Sequence, residues 1–335
     1  MKNLNKFYID NLTDIVFIGF SEVFENLIKI NNELEINTSI ISSTNQSKAI
    51  DFEHKVFDKI DKQFYNYVDK NFNISNTLFI SVGSRIIFNS ESIKFFQGNL
   101  INSHAARLPY DAGGGAFSWR IMREDRIDNQ LFHKITEDID DGPIIISNTS
   151  IIPSNCKKPK DYEEYSLNKF QSFYKNFITR LKKGEKYSLK EQTKYLGNYN
   201  PRLSTNDHGY IDWNINSYDL FNFINSFDDP YPGAMTFLDR GKFGVLRIKS
   251  VHIHGGEPSN HPFMSGIVKR HDKDWLVVAS SGKHSILVEE VIDENGENII
   301  DQIRQGDRFY TPNNYLDHAK KTKVKFTSKG KKYDK

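Results

Sequence analysis

Asn102 and His104 stand two residues apart at the end of Gly98-Asn99-Leu100-Ile101, a short run that reads as a buried strand. Alternate side chains of a strand share a face, so the amide and the imidazole point the same way. That pair suits a reaction in which a carbonyl oxygen gains negative charge while a proton moves close by. Pro109 and the run Gly113-Gly114-Gly115 break the chain soon afterwards. A carboxylate brought in from a separate loop would hold the imidazole in one tautomer. The segment Asp140-Asp141-Gly142-Pro143 offers two such carboxylates.

In the order Asn102-Ser103-His104, Leu108-Pro109, Asp140-Asp141-Gly142, these motifs resemble the folate-dependent formyltransferases. That family formylates glycinamide ribonucleotide, initiator methionyl-tRNA and nucleotide-linked amino sugars. The resemblance implies a catalytic triad of Asn102, His104 and Asp140. Gly142 and Pro143 fix the frame and select Asp140 over Asp141. It implies N10-formyltetrahydrofolate as co-substrate and no metal. Asn102 and a protonated His104 would donate to the oxyanion formed when a neutral amine attacks the formyl carbon. Asp140 would hold His104 and help relay the amine proton to the leaving nitrogen. The pterin would lie between Ser84-Arg85-Ile86-Ile87, read through backbone groups, and the loop Glu137-Asp138-Ile139 leading to Asp140.

The acceptor amine is the more open question. The tRNA enzymes of this family carry an Arg-Gly pair just after Leu-Pro, whereas this chain reads Tyr110-Asp111-Ala112-Gly113-Gly114-Gly115-Ala116-Phe117-Ser118-Trp119. The glycine run is similar to that of formyltransferases acting on nucleotide-linked amino-deoxy sugars in surface polysaccharide (O-antigen) biosynthesis. The expected acceptor is therefore a sugar linked to dTDP first, with UDP or GDP as variants. Arg107, Tyr110, Gly113, Gly114, Gly115, Trp119, Tyr195, Tyr199 and Arg202 are candidate contacts. Aromatic side chains would face the base, cations the pyrophosphate, and glycines would let the sugar approach the backbone. A methionyl-tRNA formyltransferase is the alternative, and nucleic acid is a partner only under that reading. A formyltetrahydrofolate hydrolase and a non-catalytic folate-binding module are further readings. Homodimerisation is carried over by analogy with the sugar enzymes.

Composition narrows the class. The chain has 335 residues, 38% of them hydrophobic, with a mean hydropathy of −0.59. No apolar run is long enough to span a bilayer, and the first residues lack the apolar core of a signal peptide, so a cytoplasmic, membrane-free protein is expected. Cys156 is the only cysteine, which excludes an internal disulfide. A net charge of +2 gives little support for nucleic-acid binding. The histidines at 252, 254 and 261 lack neighbouring cysteines or an ordered carboxylate set, so they do not read as a metal site.

The elements that must carry the motifs alternate as strand and helix. Asp14 to Gly19, Thr38 to Ile41, Thr77 to Gly83 and Leu100-Ile101 read as strands, and Glu22 to Ile30 as a helix. This predicts an α/β, Rossmann-like domain with a mostly parallel sheet over residues 1–186. Leu131 to Ile135 and Pro143 to Ile152 read as strands flanking Asp140. Residues 161–183 read as an amphipathic helix with Gly184 as its stop. Residues 187–207 read as a linker. Short strands and frequent turns over 208–316 predict a small C-terminal β-barrel, OB-like domain, and its Ile211-Asp212-Trp213 and Pro230-Tyr231-Pro232-Gly233-Ala234 segments carry the same family resemblance. Ser217 reads as the cap of a helix within it. The lysine-rich segment 317–335 is expected to be a disordered basic tail.

Overall fold

The computed structural model describes residues 5–114, 116–327 and 330–333. Two units are present, each built round its own sheet. In the first, seven strands lie in the spatial order Lys55–Val56, Asn37–Ser42, Asp14–Gly19, Thr77–Val82, Leu100–His104, Ile127–Lys134, Ile144–Ile151. The first five run parallel, and the last two add antiparallel to them. The five-strand part is the mostly parallel sheet expected from the alternation of strand and helix.

Both faces of the central strands Asp14–Gly19 and Thr77–Val82 are covered, so these strands are buried on both sides. Along Asp14–Gly19, Ile15 and Phe17 join one core cluster while Val16 and Ile18 join the other, as the two-residue period requires. The long helix Pro159–Lys182 seals the first face with Phe170, Phe173, Tyr174, Phe177, Ile178 and Leu181. Phe132 lies 4.6 Å from Phe177 and 5.3 Å from Phe173 between ring centroids, which fixes the strand Ile127–Lys134 against that helix. On the opposite face Phe64 and Val68 of the helix Lys62–Asn71 meet Phe79, Phe96 and Leu100.

The second unit is a six-stranded antiparallel sheet in the order Val268–His271, Leu276–Ala279, Ser285–Ile292, Leu246–His254, Ala234–Leu238, Phe309–Tyr310. It curls until its edges meet: Val268 N–H donates to Asp307 O at 2.8 Å and Phe309 N–H to Gly266 O at 2.9 Å. Trp213 fills its interior, stacked 5.5 Å from Phe309 and donating to Thr236 Oγ1 at 2.9 Å.

The structure differs from the sequence expectations at two places. The helix Ser217–Ser226 is capped by Asn216, not Ser217. The Asn216 side chain accepts from the backbone of Tyr218 and Asp219. The linker is tied down over much of its length: Tyr187–Ser188 pairs with Lys6–Phe7, and Tyr199–Asn200 pairs with Ala112–Gly113. Of the segment 317–335, expected to be a disordered tail, residues 328, 329, 334 and 335 lie outside the described residues. A helix covers Asn313–Lys321 and a hairpin joins Val324–Thr327 to Gly330–Tyr333. Tyr315 anchors that helix, 4.9 Å from Tyr210 and 5.0 Å from Phe237 between ring centroids. Apolar anchorage of this kind is not visible in a lysine-rich composition.

One polar contact inside the first core is open to measurement. Tyr174 and Asn31 are fully buried, and the tyrosine hydroxyl donates to Asn31 Oδ1 at 2.8 Å. Tyr174→Phe leaves that oxygen without a donor, which costs about 1–3 kcal/mol. Calorimetry should find a lower melting temperature with the far-ultraviolet circular dichroism unchanged.

Candidate active site

The antiparallel strand beside Leu100–His104 sets the register of the site. It places His133 directly across from Asn102 and Leu131 across from His104. His133 is 2% exposed, and both of its ring nitrogens are engaged. Nδ1 lies 2.9 Å from the carbonyl of Lys134, which can only accept, so Nδ1 carries the proton. Nε2 is then an acceptor, and Asn102 Nδ2 donates to it at 3.0 Å. One backbone carbonyl thereby sets a tautomer, and the tautomer sets which end of the Asn102 amide faces inward. The second N–H of that amide is left for another acceptor. Burial, with the neighbouring His104 imidazole, pushes the His133 pKa down to about 4, although Asp140 and the Lys134 carbonyl oppose the shift.

Asp140 Oδ1 lies 3.8 Å from His104 Nδ1 and 3.8 Å from His133 Nε2. Because His133 presents an acceptor there, His104 is the ring able to direct an N–H towards the carboxylate. Its Nε2 is buried and has no hydrogen-bond partner among the described residues. That atom and the second N–H of Asn102 are the two polar groups the strand end holds ready.

The Asp140 loop is shaped by two local constraints. Asp140 has φ 58°, a left-handed conformation that Asp tolerates better than most residues. A Cβ at Gly142 would lie 1.7 Å from the Lys134 carbonyl oxygen, so only glycine fits. The Gln192 amide donates to the carbonyls of Asp140 and Gly142, each at 2.8 Å. His133 and Gln192 were both missed in the sequence. For His133 the signal was a polar residue in an apolar strand; for Gln192, inside a linker, there was none.

A residue shortly after the first segment read as pterin-binding touches the second. Ser90 donates to the Glu137 carboxylate. Ile86 is in the core, leaving its main chain on offer, and Ser84 Oγ accepts from its backbone N–H at 3.0 Å. Ile87 and Ile139 are 80% and 81% exposed, Arg85 and Asp138 are exposed too, and the Thr136 hydroxyl donates to the Asp138 carbonyl at 3.2 Å. Both isoleucines present bare apolar surface.

A Cβ at Gly113 would lie 2.3 Å from Asn200 O, and one at Gly114 would lie 2.9 Å from Arg202 Cβ. These glycines thus admit the close approach of the chain's own residues 200–202. Gly115 lies outside the described residues. The Trp119 indole N–H donates to Pro201 O at 2.7 Å, pinning the same segment. Arg107 is held by Asp125 at 2.7 Å and Asp111 at 3.5 Å, with its guanidinium 5.5 Å from the Tyr110 ring centroid. Tyr195 and Tyr199 project from the segment, 93% and 72% exposed, and Arg202 is exposed beside them. His252, His254 and His261 engage Glu289, Arg270 and the Phe263 N–H respectively. No metal-holding cluster of three or more His, Cys, Asp or Glu occurs among the described residues.

The depressed His133 pKa ties stability to pH. Above about pH 6.5, the ordinary histidine value, folded and unfolded chains both keep this ring neutral. Between about 6.5 and about 4 only the unfolded chain takes the proton, so stability falls with falling pH. Below about 4 the loss levels off. The change is of order 3 kcal/mol. Urea titrations across this window should show a steeper pH dependence in the wild type than in His133→Phe.

Residues 203–306 match the family model described as formyl transferase, C-terminal domain. The chain is 27% identical over 184 residues to the methionyl-tRNA formyltransferase of Pseudothermotoga lettingae, covering 54% of this chain and 56% of that protein. It is 22% identical over 217 residues to the bifunctional polymyxin resistance protein ArnA of Wigglesworthia glossinidia brevipalpis, covering 63% of this chain and 32% of that protein. The match thus spans well under two thirds of either relative. Among solved structures, the sugar 3N-formyl transferase WlaRD, crystallised with dTDP and 5-N-formyl-THF, superposes with a TM-score of 0.63 at 18% identity over 85% of this chain and 99% of that one. The N-formyltransferase of Helicobacter canadensis, in complex with folinic acid and dTDP-3-aminofucose, gives 0.61 at 15% identity over 83% and 99%. No helix among the described residues is long and apolar enough to cross a membrane. Residues 203–306 thus carry a formyl transferase C-terminal domain, and the fold over both units is the one seen in these solved formyltransferase structures.

Proposed function

We propose that the protein transfers a formyl group from N10-formyltetrahydrofolate to the amine of a nucleotide-linked amino sugar, the nucleotide being dTDP, for the assembly of a surface polysaccharide. The observation that carries this reading is the strand end itself. Asn102, oriented by His133, and the unpartnered Nε2 of His104 share one face, with Asp140 3.8 Å behind the His104 ring.

A bound N10-formyltetrahydrofolate would supply an activated formyl carbon and a nitrogen able to accept a proton on leaving. The backbone of residues 84–87 and the exposed Ile87 and Ile139 are the groups that would hold its pterin. The second N–H of Asn102 donates to the carbonyl oxygen that gains charge as the amine adds. His104 handles the proton at Nε2, and positive charge on that ring is offset by Asp140. Two donors fixed before the reaction need no reorganisation as charge develops, which is why such an arrangement accelerates it. On the acceptor side, Tyr195, Tyr199 and Arg202 border the segment that covers Gly113 and Gly114, and offer aromatic faces and a cation to a nucleoside diphosphate. The dTDP ligands bound by the two similar solved structures support this choice of nucleotide.

The test supplies formyl-tetrahydrofolate with dTDP-, UDP- and GDP-linked amino sugars and, in parallel, charged methionyl-tRNA. Formylation of a dTDP-linked amine is the expected result; turnover of the tRNA alone overturns the reading. Asn102→Ala and His104→Ala should each lower kcat by about 10²–10³ while the fold is retained. Near wild-type turnover in either variant would remove these residues from the mechanism.

A further inference from the structure

Residues 190–202 form a strap that begins at the Asp140 loop and ends on the glycine segment. At its start, Lys190 and Ile144 exchange backbone hydrogen bonds of 2.9 and 2.8 Å. At its far end, Asn198 N–H donates to Pro109 O at 3.2 Å, Tyr199–Asn200 pairs in parallel with Ala112–Gly113, and Trp119 holds Pro201. Between these anchors Gln192 reaches back to the Asp140 loop, its amide nitrogen meeting the carbonyls of Asp140 and Gly142 at 2.8 Å each.

The chemistry of that contact is specific. A glutamine amide nitrogen has two hydrogens, and here two carbonyls take them. Those carbonyls belong to the left-handed residue Asp140 and to Gly142, two positions on, where the turn has no room for a Cβ. Holding both carbonyl oxygens fixes the peptide planes that follow Asp140 and Gly142, and so restrains the turn that directs the Asp140 side chain. In that setting the carboxylate lies 3.8 Å from both imidazoles. We propose that Gln192 is a positioning residue: it locks the Asp140 loop to the strap and so makes the carboxylate's placement depend on the segment that also bears Tyr195 and Tyr199. The inference rests on the proposed formyl transfer for its kinetic consequence, and on geometry alone for its structural one.

Gln192→Met keeps the length of the side chain and removes both donors. Hydrogen exchange, followed by mass spectrometry on the full-length protein, should be faster in peptides covering 136–143 of this variant. Peptides of the central strands and the melting temperature should be unchanged. Unaltered exchange over 136–143 overturns the proposal whatever the reaction turns out to be. The kinetic arm uses formyl-tetrahydrofolate and the acceptor formylated by the wild type. Gln192→Met should lower kcat about tenfold with the KM for the folate unchanged, since a small displacement of a positioned group is costly. In an Asp140→Asn background the same change should cause no further loss, because both substitutions act on one carboxylate. A full second tenfold loss would mean that Gln192 acts elsewhere. If the wild type formylates no acceptor, or the Asp140→Asn background is too slow to measure, the exchange result decides the proposal on its own.

Discussion

The site depends on one pairing between strands. Ile127–Lys134 lies antiparallel to Leu100–His104 in the register that sets His133 opposite Asn102. A slip of one residue would turn every side chain of that strand to the other face, sending His133 into the apolar layer under the long helix and Phe132 out of it. Phe132 is buried among Phe170, Phe173 and Phe177, so hydrophobic packing on one face enforces a polar contact on the other. Stability and site geometry are therefore the same fact seen from two sides of the sheet.

From that register the polar chain follows in order. The Lys134 carbonyl fixes the proton on His133 Nδ1, the free Nε2 fixes the Asn102 amide, and Asp140 faces His104 from a loop that Gly142 allows to pass over Lys134. Within that chain both ring nitrogens of His133 are engaged, by the Lys134 carbonyl and the Asn102 amide. Such saturation matters because a buried polar group with two competing arrangements would average its direction away. It also explains why an imidazole sits at a position where a simple amide would satisfy the same hydrogen bonds: its ring spans from a backbone carbonyl to a side-chain amide in one rigid unit.

Much of this was legible in the sequence, and the reasons it was legible are physical. The two-residue spacing of Asn102 and His104 on a strand end puts them on one face whatever the rest of the fold does. The alternation of apolar strands and helices implied a mostly parallel sheet, and the aromatic spacing of residues 161–183 marked the helix that covers it. What was hidden depends on contacts between distant segments. His133 carries no local sign that it will meet Asn102, and Gln192 sits in a stretch that reads as linker. The glycine run was read for what it could admit from outside. Its geometry shows Gly113 and Gly114 pressed against Asn200 and Arg202, a contact that no local pattern encodes.

The protonation of one buried ring orients the Asn102 amide, and the most direct measurement is of that ring. Nitrogen-15 NMR of imidazole-labelled protein at neutral pH should find His133 as a neutral ring protonated on Nδ1, with Nε2 shifted as an unprotonated acceptor. An Nε2-protonated tautomer, or an imidazolium at neutral pH, would contradict the account, because Asn102 could then not donate to it and the amide would face the reactants with its oxygen.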